Sequence, residues 1–267
     1  MRFFLVLCSL LLVFSACQSS GEDKAAQKAP AEEQAPAPAA KKYQIRAFTP
    51  SQPYPDANIG EMNLKDGAWS FGVTGTDYKL GDQTPDAAQK MCANSGKGQH
   101  IHLIIDNEPY NARYTAEFND VEVADGDHYI LAFLSRSYHE SIKTPQAHVA
   151  QQVTVTNQNI SDRKAIEGPM LFYSRPKGTY VGAQDTKDVM LDFYLVNATL
   201  GKDAYSIKAE INGEEHVITE WQPYYIEGLP MGENTVKLTL LDKEGKVADV
   251  PLNPVTRKFT LKADPAE

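Results

Sequence analysis

The sequence predicts an all-β chain in which two tandem β-sandwich modules, immunoglobulin-like or cupredoxin-like, follow a disordered N-terminal tether. Three observations support this prediction. Short apolar or alternating runs are separated by Gly, Pro, Asn and Asp, as in strands joined by turns. Helical periodicity is nearly absent, and only the segment 85–93 could form one or two helical turns. The two halves of the chain also resemble each other, which indicates a duplicated module.

The N-terminal residues have the pattern of an export signal. A positive start is followed by an apolar run over 3–14 and by small residues before Cys17, so we expect a signal peptide over 1–16. The apolar run is shorter than the roughly 20 residues that cross a bilayer. The tetrapeptide Phe-Ser-Ala-Cys resembles a lipobox, which implies cleavage before Cys17 and lipid on that cysteine. An ordinary secretory signal with an unrelated cysteine is the alternative.

The segment 17–42 predicts a lipid-anchored linker. After Cys17 it consists almost entirely of Ala, Pro, Gln, Lys and Glu, which cannot bury enough surface to offset the entropy of ordering. We therefore expect the protein to be an outer-membrane lipoprotein of the cell envelope, held on the membrane through Cys17. The periplasmic and surface-exposed leaflets both stay open.

The strand runs divide the rest of the chain into a first module over 43–157, a linker over 158–168 and a second module over 169–262. HIHLIIDN (100–107) aligns with YSIKAEIN (205–212), and GDHYILAFL (126–134) aligns with GENTVKLTL (232–240). This alignment predicts that His102 corresponds to Ile207 and His128 to Asn234. The second copy therefore lacks the histidines of the first, which indicates that they have a role besides folding.

Charge and motif content exclude several functions. Lys and Arg total 26 against 35 Asp and Glu, and a net charge of -9 argues against binding to nucleic acid. Cleavage at Cys17 would leave Cys92 as the one further cysteine, so we expect no internal disulfide. No GxSxG nucleophile motif is present, and we expect no enzymatic activity.

The first module carries a possible metal site. His100 and His102 are two residues apart on a predicted strand, so their side chains lie on one face, opposite the core residues Ile101, Leu103 and Ile105. Imidazole binds copper and zinc, and sulfur from Cys92 or Met91 would favour copper. A polar sandwich face with hydrogen-bonded histidines is the alternative. The candidate ligands are His100, His102, His128 and His139.

The segment SRSYHESIKTPQAH (135–148) is a candidate binding loop, because its basic and hydroxyl side chains could bind an anion. An exposed lattice of ion pairs, which contributes little to stability, is the alternative. The candidate loop residues are Arg136, Ser137, Tyr138, Glu140 and Lys143.

The stretch CANSGKGQHIHLIIDNEPYNARYT, with DGDHYILAFLSRSYHESIK further on, resembles a group of Bacteroidota lipoproteins of unknown function, some of which are described as phosphopeptide-binding proteins. The resemblance covers the first module best. It implies a small exported β domain and no particular chemistry.

Two functions follow as expectations. The first is a non-catalytic binding or scaffold module for an envelope protein or glycan. The second is a metal-binding envelope protein that holds copper or zinc through the histidines of the first module.

Replacing the lipidation site tests the expected membrane anchor. The variant Cys17→Ser should leave the detergent phase in a phase-partitioning assay after export, because no thioether to the lipid can form. Unchanged partitioning of this variant would contradict lipidation at Cys17.

Overall fold

A computed structural model describes residues 41–264 of the chain. The expected signal peptide, the lipidation of Cys17 and nearly all of the expected linker lie outside the described residues. Within them, no helix is long and apolar enough to cross a bilayer.

The described residues form an all-β structure, as the sequence predicts. A short helix, α1 (Ala183–Lys187), and 3-10 turns at Ala87–Gln89 and Pro145–Ala147 interrupt the strands, and the first of these turns lies within the segment expected to be helical. The strands are β1 (Gln44–Ala47), β2 (Asn58–Lys65), β3 (Ala68–Thr74), β4 (His100–Ile105), β5 (Asn111–Arg113), β6 (Glu117–Phe118), β7 (Gly126–Ser135), β8 (His148–Thr156), β9 (Asn159–Ala165), β10 (Met170–Arg175), β11 (Gly178–Val181), β12 (Val189–Val196), β13 (Ser206–Ile211), β14 (Glu214–Ile218), β15 (Tyr224–Glu227), β16 (Gly232–Leu241) and β17 (Val255–Lys262).

The first β-sandwich contains β2 to β9. One sheet has the order β2-β3-β6 and the other has the order β5-β4-β7-β8-β9. Their inner faces enclose an apolar core around Trp69, whose indole N–H donates to the carbonyl oxygen of Val121 at 2.9 Å. Ile101 and Leu103 enter this core and Ile105 packs against it, as the alternation of β4 predicts.

The second β-sandwich contains β1 and β10 to β17. Its sheets have the orders β1-β15-β12-β10 and β11-β17-β16-β13-β14. The strands that alternate most regularly, such as β13, point Ile207, Ala209 and Ile211 into the core and leave the intervening side chains half-buried. This pattern is typical of a sheet with one solvated face.

Two expected module boundaries are wrong. Strand β1 pairs antiparallel with β15, with Gln44 opposite Glu227, so the first strand after residue 43 belongs to the second sandwich. The expected linker 158–168 contains β9, which extends the first sandwich beyond β8. Both strands lie at sheet edges and carry charged or polar side chains, as edge strands commonly do. Their sequences therefore lack the apolar alternation on which the boundaries were based.

The correspondence between the two sandwiches differs from the expected alignment by one residue along β4. His128 and Asn234 occupy the same place, opposite Val153 and Phe259 in the core sheets. However, the core residues Ile101 and Leu103 match Ile207 and Ala209, so His102 corresponds to Lys208 rather than to Ile207. Because side chains alternate along a strand, a shift of one residue exchanges the two faces.

A third apolar cluster joins the two sandwiches. The outer face of β4 and β7 packs against β10 and β12, and Phe133 stacks on Tyr194 with ring centroids 5.1 Å apart. Strands β10 and β12 are buried along their whole length. Their continuous apolar sequences, in contrast to the alternation of β13, reflect burial on both faces.

Truncating a side chain in this third cluster should destabilise the fold. Phe172 is fully buried there, and Phe172→Ala should lower the free energy of unfolding by about 3–5 kcal/mol in chemical denaturation. Val217 is 66% exposed, so Val217→Ala should change it by less than about 0.5 kcal/mol. Equal effects of the two substitutions would mean that the interface contributes little.

Candidate functional site

Three histidine side chains converge at the junction of the two sandwiches. The Nε2 atoms of His100 and His102 are 2.8 Å apart, and Nδ1 of His139 lies 3.1 Å from Nε2 of His100. One ring nitrogen from each of the three histidines of this cluster lies within 4.8 Å of the other two. His100 and His102 are fully buried, and His139 is partly buried.

The strand period and the packing of the sandwiches create this cluster. His100 and His102 lie on the face of β4 that is opposite the core of the first sandwich. In the second sandwich the corresponding face carries Lys208, whose Nζ pairs with Glu215 at 2.8 Å. In the first sandwich that face is covered, and Ser174 of β10 contacts His102. The same strand face is therefore solvated in one copy and buried in the other.

The Nδ1 atoms of His100 and His102 contact neighbouring groups, and these contacts orient the two Nε2 atoms toward each other. Nδ1 of His100 lies 2.8 Å from the carbonyl oxygen of Gly98, so it carries the proton and donates. Nδ1 of His102 lies 3.2 Å from Oγ of Ser174. Metal-binding histidines commonly donate their second ring N–H to a carbonyl or other acceptor, which fixes the ring and leaves the other nitrogen free for the ion.

His139 reaches the cluster through an unusual backbone conformation. It lies in the turn after β7, where its N–H donates to the carbonyl oxygen of Arg136 at 2.9 Å. Its φ of 70° falls in the left-handed region, which costs a non-glycine residue free energy and is several-fold enriched for Asn, Asp and His. Such strain is found at functional sites more often than elsewhere.

Aromatic rings pack around the cluster and hold the imidazoles in place. Tyr110 stacks on His102, with ring centroids 3.6 Å apart and planes within 7° of parallel. Tyr114 packs on His100 at 4.9 Å, and Phe133 packs on His102 at 4.9 Å. The Tyr110 hydroxyl lies 3.4 Å from Nδ1 of His139. These contacts leave the ring nitrogens as the polar atoms at the centre of the cluster.

Burial keeps the histidine cluster uncharged near neutral pH. Burial lowers the pKa of His100 to about 4 and lowers the pKa of His102 well below its usual value. It also lowers the pKa of His139, and the positive charge of Arg175 adds to that effect. Neutral imidazoles have a free lone pair, which is the form that a metal ion requires.

The arrangement fits a tetrahedral metal ion with three imidazole ligands. Zinc–nitrogen bonds of about 2.0–2.1 Å separate tetrahedral ligand atoms by about 3.3 Å. The separations of 2.8 and 3.1 Å from Nε2 of His100 need to widen by a few tenths of an ångström. The ligand atoms of His102 and His139 lie within 4.8 Å of each other, a span that a small rotation of the rings could adjust. Three protein ligands leave the fourth position of the ion open.

One of the four candidate ligands does not belong to the cluster. Nδ1 of His128 lies 2.5 Å from a carboxylate oxygen of Asp106, and its Nε2 lies 2.8 Å from the carbonyl oxygen of Ala124. The prediction of His128 as a ligand is therefore wrong, whereas His100, His102 and His139 come together. His128 lies near the start of β7, at the opposite end of this strand from Ser135, which pairs with His100.

The sulfur atoms considered as ligands also lie apart from the cluster. Cys92 is buried in an apolar group with Phe48 and Tyr138, and burial raises the pKa of its thiol to about 12. Met91 is 46% exposed. Within the described residues the candidate metal site therefore offers nitrogen atoms alone.

The candidate binding loop forms internal contacts rather than an exposed lattice. Arg136 donates to the carbonyl oxygen of Gln52 at 2.6 Å, and Lys143 donates to a carboxylate oxygen of Asp192 at 2.6 Å. The remaining contacts join Ser137 to Thr84, Tyr138 to Asp86, and Glu140 to Ser51 and Arg136. These five side chains hold the loop that presents His139, and they are engaged by the protein itself.

Sequence reasoning missed three contributors to the site. Tyr110, Ser174 and Arg175 surround the histidines, but Ser174 and Arg175 come from the second sandwich. Tyr110 follows β4 in a turn and carries no pattern that distinguishes it. The sequence offered one signal for the contribution of the second sandwich, the uninterrupted apolar run at the start of β10. Such a run indicates a strand that is covered on both faces.

Neither a known protein family nor a curated protein matches the sequence. Among solved structures, the chain is similar to the fibronectin(III)-like modules of Clostridium thermocellum CbhA, with 13% identity and a TM-score of 0.28. The match covers 36% of this chain and 100% of that one.

The metal-free protein should lose stability in mild acid. In the unfolded chain each histidine binds a proton near pH 6.5. In the folded protein His100 binds its proton only near its lowered pKa of about 4. The free energy of unfolding should therefore fall as the pH drops from 6.5 toward 4, by about 3 kcal/mol for His100 alone. Chemical denaturation between pH 6.5 and pH 4 measures this free energy of unfolding. The variant His100→Asn should show a weaker dependence of that free energy on pH. An equal slope in the wild type and this variant would contradict the assignment.

Proposed function

We propose that this protein is a non-catalytic metal-binding protein of the cell envelope that holds divalent copper or zinc through His100, His102 and His139. The observation that supports the proposal is the convergence of two buried imidazoles and one partly buried imidazole, with one nitrogen of each ring within 4.8 Å of the others. A polar sandwich face, the alternative, would direct its histidines toward solvent, hydroxyls or carboxylates, as His128 is directed toward Asp106.

Hydrogen bonding within the cluster also favours a metal ion. Nδ1 of His100 carries the proton and donates a hydrogen bond to Gly98, so Nε2 of the neutral ring has a single lone pair. This lone pair faces both Nε2 of His102 and Nδ1 of His139. Without an ion, both His102 and His139 would have to donate to that single acceptor. A metal ion instead accepts a lone pair from each of the three rings.

The ligand set favours zinc and copper over harder cations. Imidazole suits zinc and copper, whereas magnesium and calcium prefer oxygen ligands. Affinity for a given nitrogen site usually increases from zinc to divalent copper. We therefore expect tighter binding of copper than of zinc.

Membrane anchoring remains part of the proposal. Lipid on Cys17 would hold the metal-binding sandwich at the outer membrane. A scaffold role toward an envelope protein or glycan stays a prediction from the sequence.

Metal titration of matched histidine variants tests the proposal. Wild-type protein should bind one copper or zinc ion, measured by calorimetry and by metal analysis after desalting. His139→Asn should weaken binding at least about tenfold, because it removes one of three ligands and Asn still tolerates the left-handed backbone. His128→Asn is the matched control and should bind as the wild type does.

Two outcomes would contradict the proposal. One is the absence of micromolar binding by folded wild-type protein. The other is equal loss of binding in His139→Asn and His128→Asn, which would place the ion elsewhere.

A further inference from the structure

We infer that the fourth position of the metal is filled by a small anion that Arg175 of the second sandwich stabilises. This inference rests on the proposed metal site, and it assigns an anion-binding role to the junction of the two sandwiches. The class of ligand is a compact anion such as hydrogencarbonate, a short carboxylate or azide, since the surrounding side chains are buried.

Arg175 is a buried charge without an anionic partner. Arg175 is only 6% exposed, and its Nε has no hydrogen-bond partner. Among the described residues it forms no ion pair within 4.0 Å, and its guanidinium contacts the ring of Tyr180 instead, at 5.1 Å from the centroid. Burying an unpaired charge is costly, so such a group indicates a missing counter-ion.

Arg175 is adjacent in the chain to a residue that contacts the histidine cluster, and its charge acts on all three imidazoles. It directly follows Ser174, whose Oγ contacts His102. The pairing of β10 with β12 shifts between Tyr173 and Arg175, so Ser174 is an extra residue in a bulge. Bulges change the direction of side chains and are frequent next to functional sites.

The carboxylate opposite Arg175 in the sheet is already engaged. Asp192 lies opposite Arg175 across the strand pair, but its carboxylate accepts from Lys143 Nζ at 2.6 Å and from the Ser141 N–H at 3.1 Å. The carboxylate of Glu140 is likewise engaged by Ser51 and Arg136. Neither is left to neutralise the guanidinium. The charge of Arg175 also acts on the partly buried carboxylate of Asp185, but the two side chains form no ion pair within 4.0 Å.

Two further cations increase the positive charge at this junction. Lys177 donates to the carbonyl oxygen of Tyr110 at 2.6 Å, and its Nζ lies 3.8 Å from the centroid of the Tyr110 ring. Arg257 lies over the ring of Tyr173, and its Nε and Nη2 are buried without partners. Neither residue forms an ion pair within the described part of the chain. A divalent ion on three neutral imidazoles adds to this charge, and an anion would offset it.

Tyr110 is not suited to be the fourth ligand. Its ring lies parallel to the imidazole of His102 at 3.6 Å. An ion in the plane of the His102 ring is therefore displaced from the plane of Tyr110, so the phenol oxygen flanks the ion rather than facing it. The stacked ring orients His102, and the fourth position remains free for an external ligand.

Azide titration of the copper-loaded protein tests the inference. Azide bound to divalent copper produces a charge-transfer band, and wild-type protein should show a saturable band at one azide per copper. Arg175→Gln should keep copper and weaken azide binding by about tenfold or more, since it removes a charge-assisted contact. Arg46→Gln, an exposed arginine on β1, is the control and should match the wild type.

The outcomes separate this inference from the proposed function. If folded wild-type protein binds no copper, the metal site itself is wrong. If copper binds but azide affinity is the same in Arg175→Gln as in the wild type, only the anion site is wrong. Should Arg175→Gln fail to fold, Lys177→Gln takes its place and should weaken azide binding several-fold, and unchanged affinity in that variant would overturn the inference.

Discussion

The packing of the two sandwiches against each other through β4 and β10 is the constraint on which the rest of the structure depends. A strand in a sandwich normally buries one face and leaves the other in water. Here the second face of β4 is also covered, so Ile104 joins an apolar cluster with Phe172 and Tyr194. His100 and His102 lie on that same face, and this contact completes their burial beneath Tyr110 and Tyr114 of their own sandwich.

The same contact divides the site between two halves of the chain. The first sandwich supplies the three imidazoles, and the second supplies Ser174 and Arg175 next to them. Neither half alone would desolvate the cluster, lower the pKa of its histidines and provide positive charge beside it. One sandwich thus bears the three imidazoles, and the other helps to enclose them.

Much of the fold follows from local sequence, whereas the site follows only in part. Alternation along β4 predicted that Ile101 and Leu103 enter the core and that the histidines face away from it. The position of His139 depends on a turn with positive φ, and no periodic pattern describes such a turn. Strands β1 and β9 were missed because edge strands carry polar residues. The sequence does not predict the role of Arg175, because contacts between segments far apart in the chain produce no pattern in the local spacing of residues.

Enclosure of the histidines also determines how fast an ion could enter or leave. His100 and His102 have no exposed surface, and Tyr110 and Tyr114 cover their rings. Exchange of an ion would therefore require a transient local opening, in which the His139 turn lifts or the junction of the sandwiches separates. Residence time would then be governed by the frequency of that opening rather than by the strength of the metal–nitrogen bonds. A protein built in this way would retain its ion over long periods and release it when a partner or mild acid favours the open state.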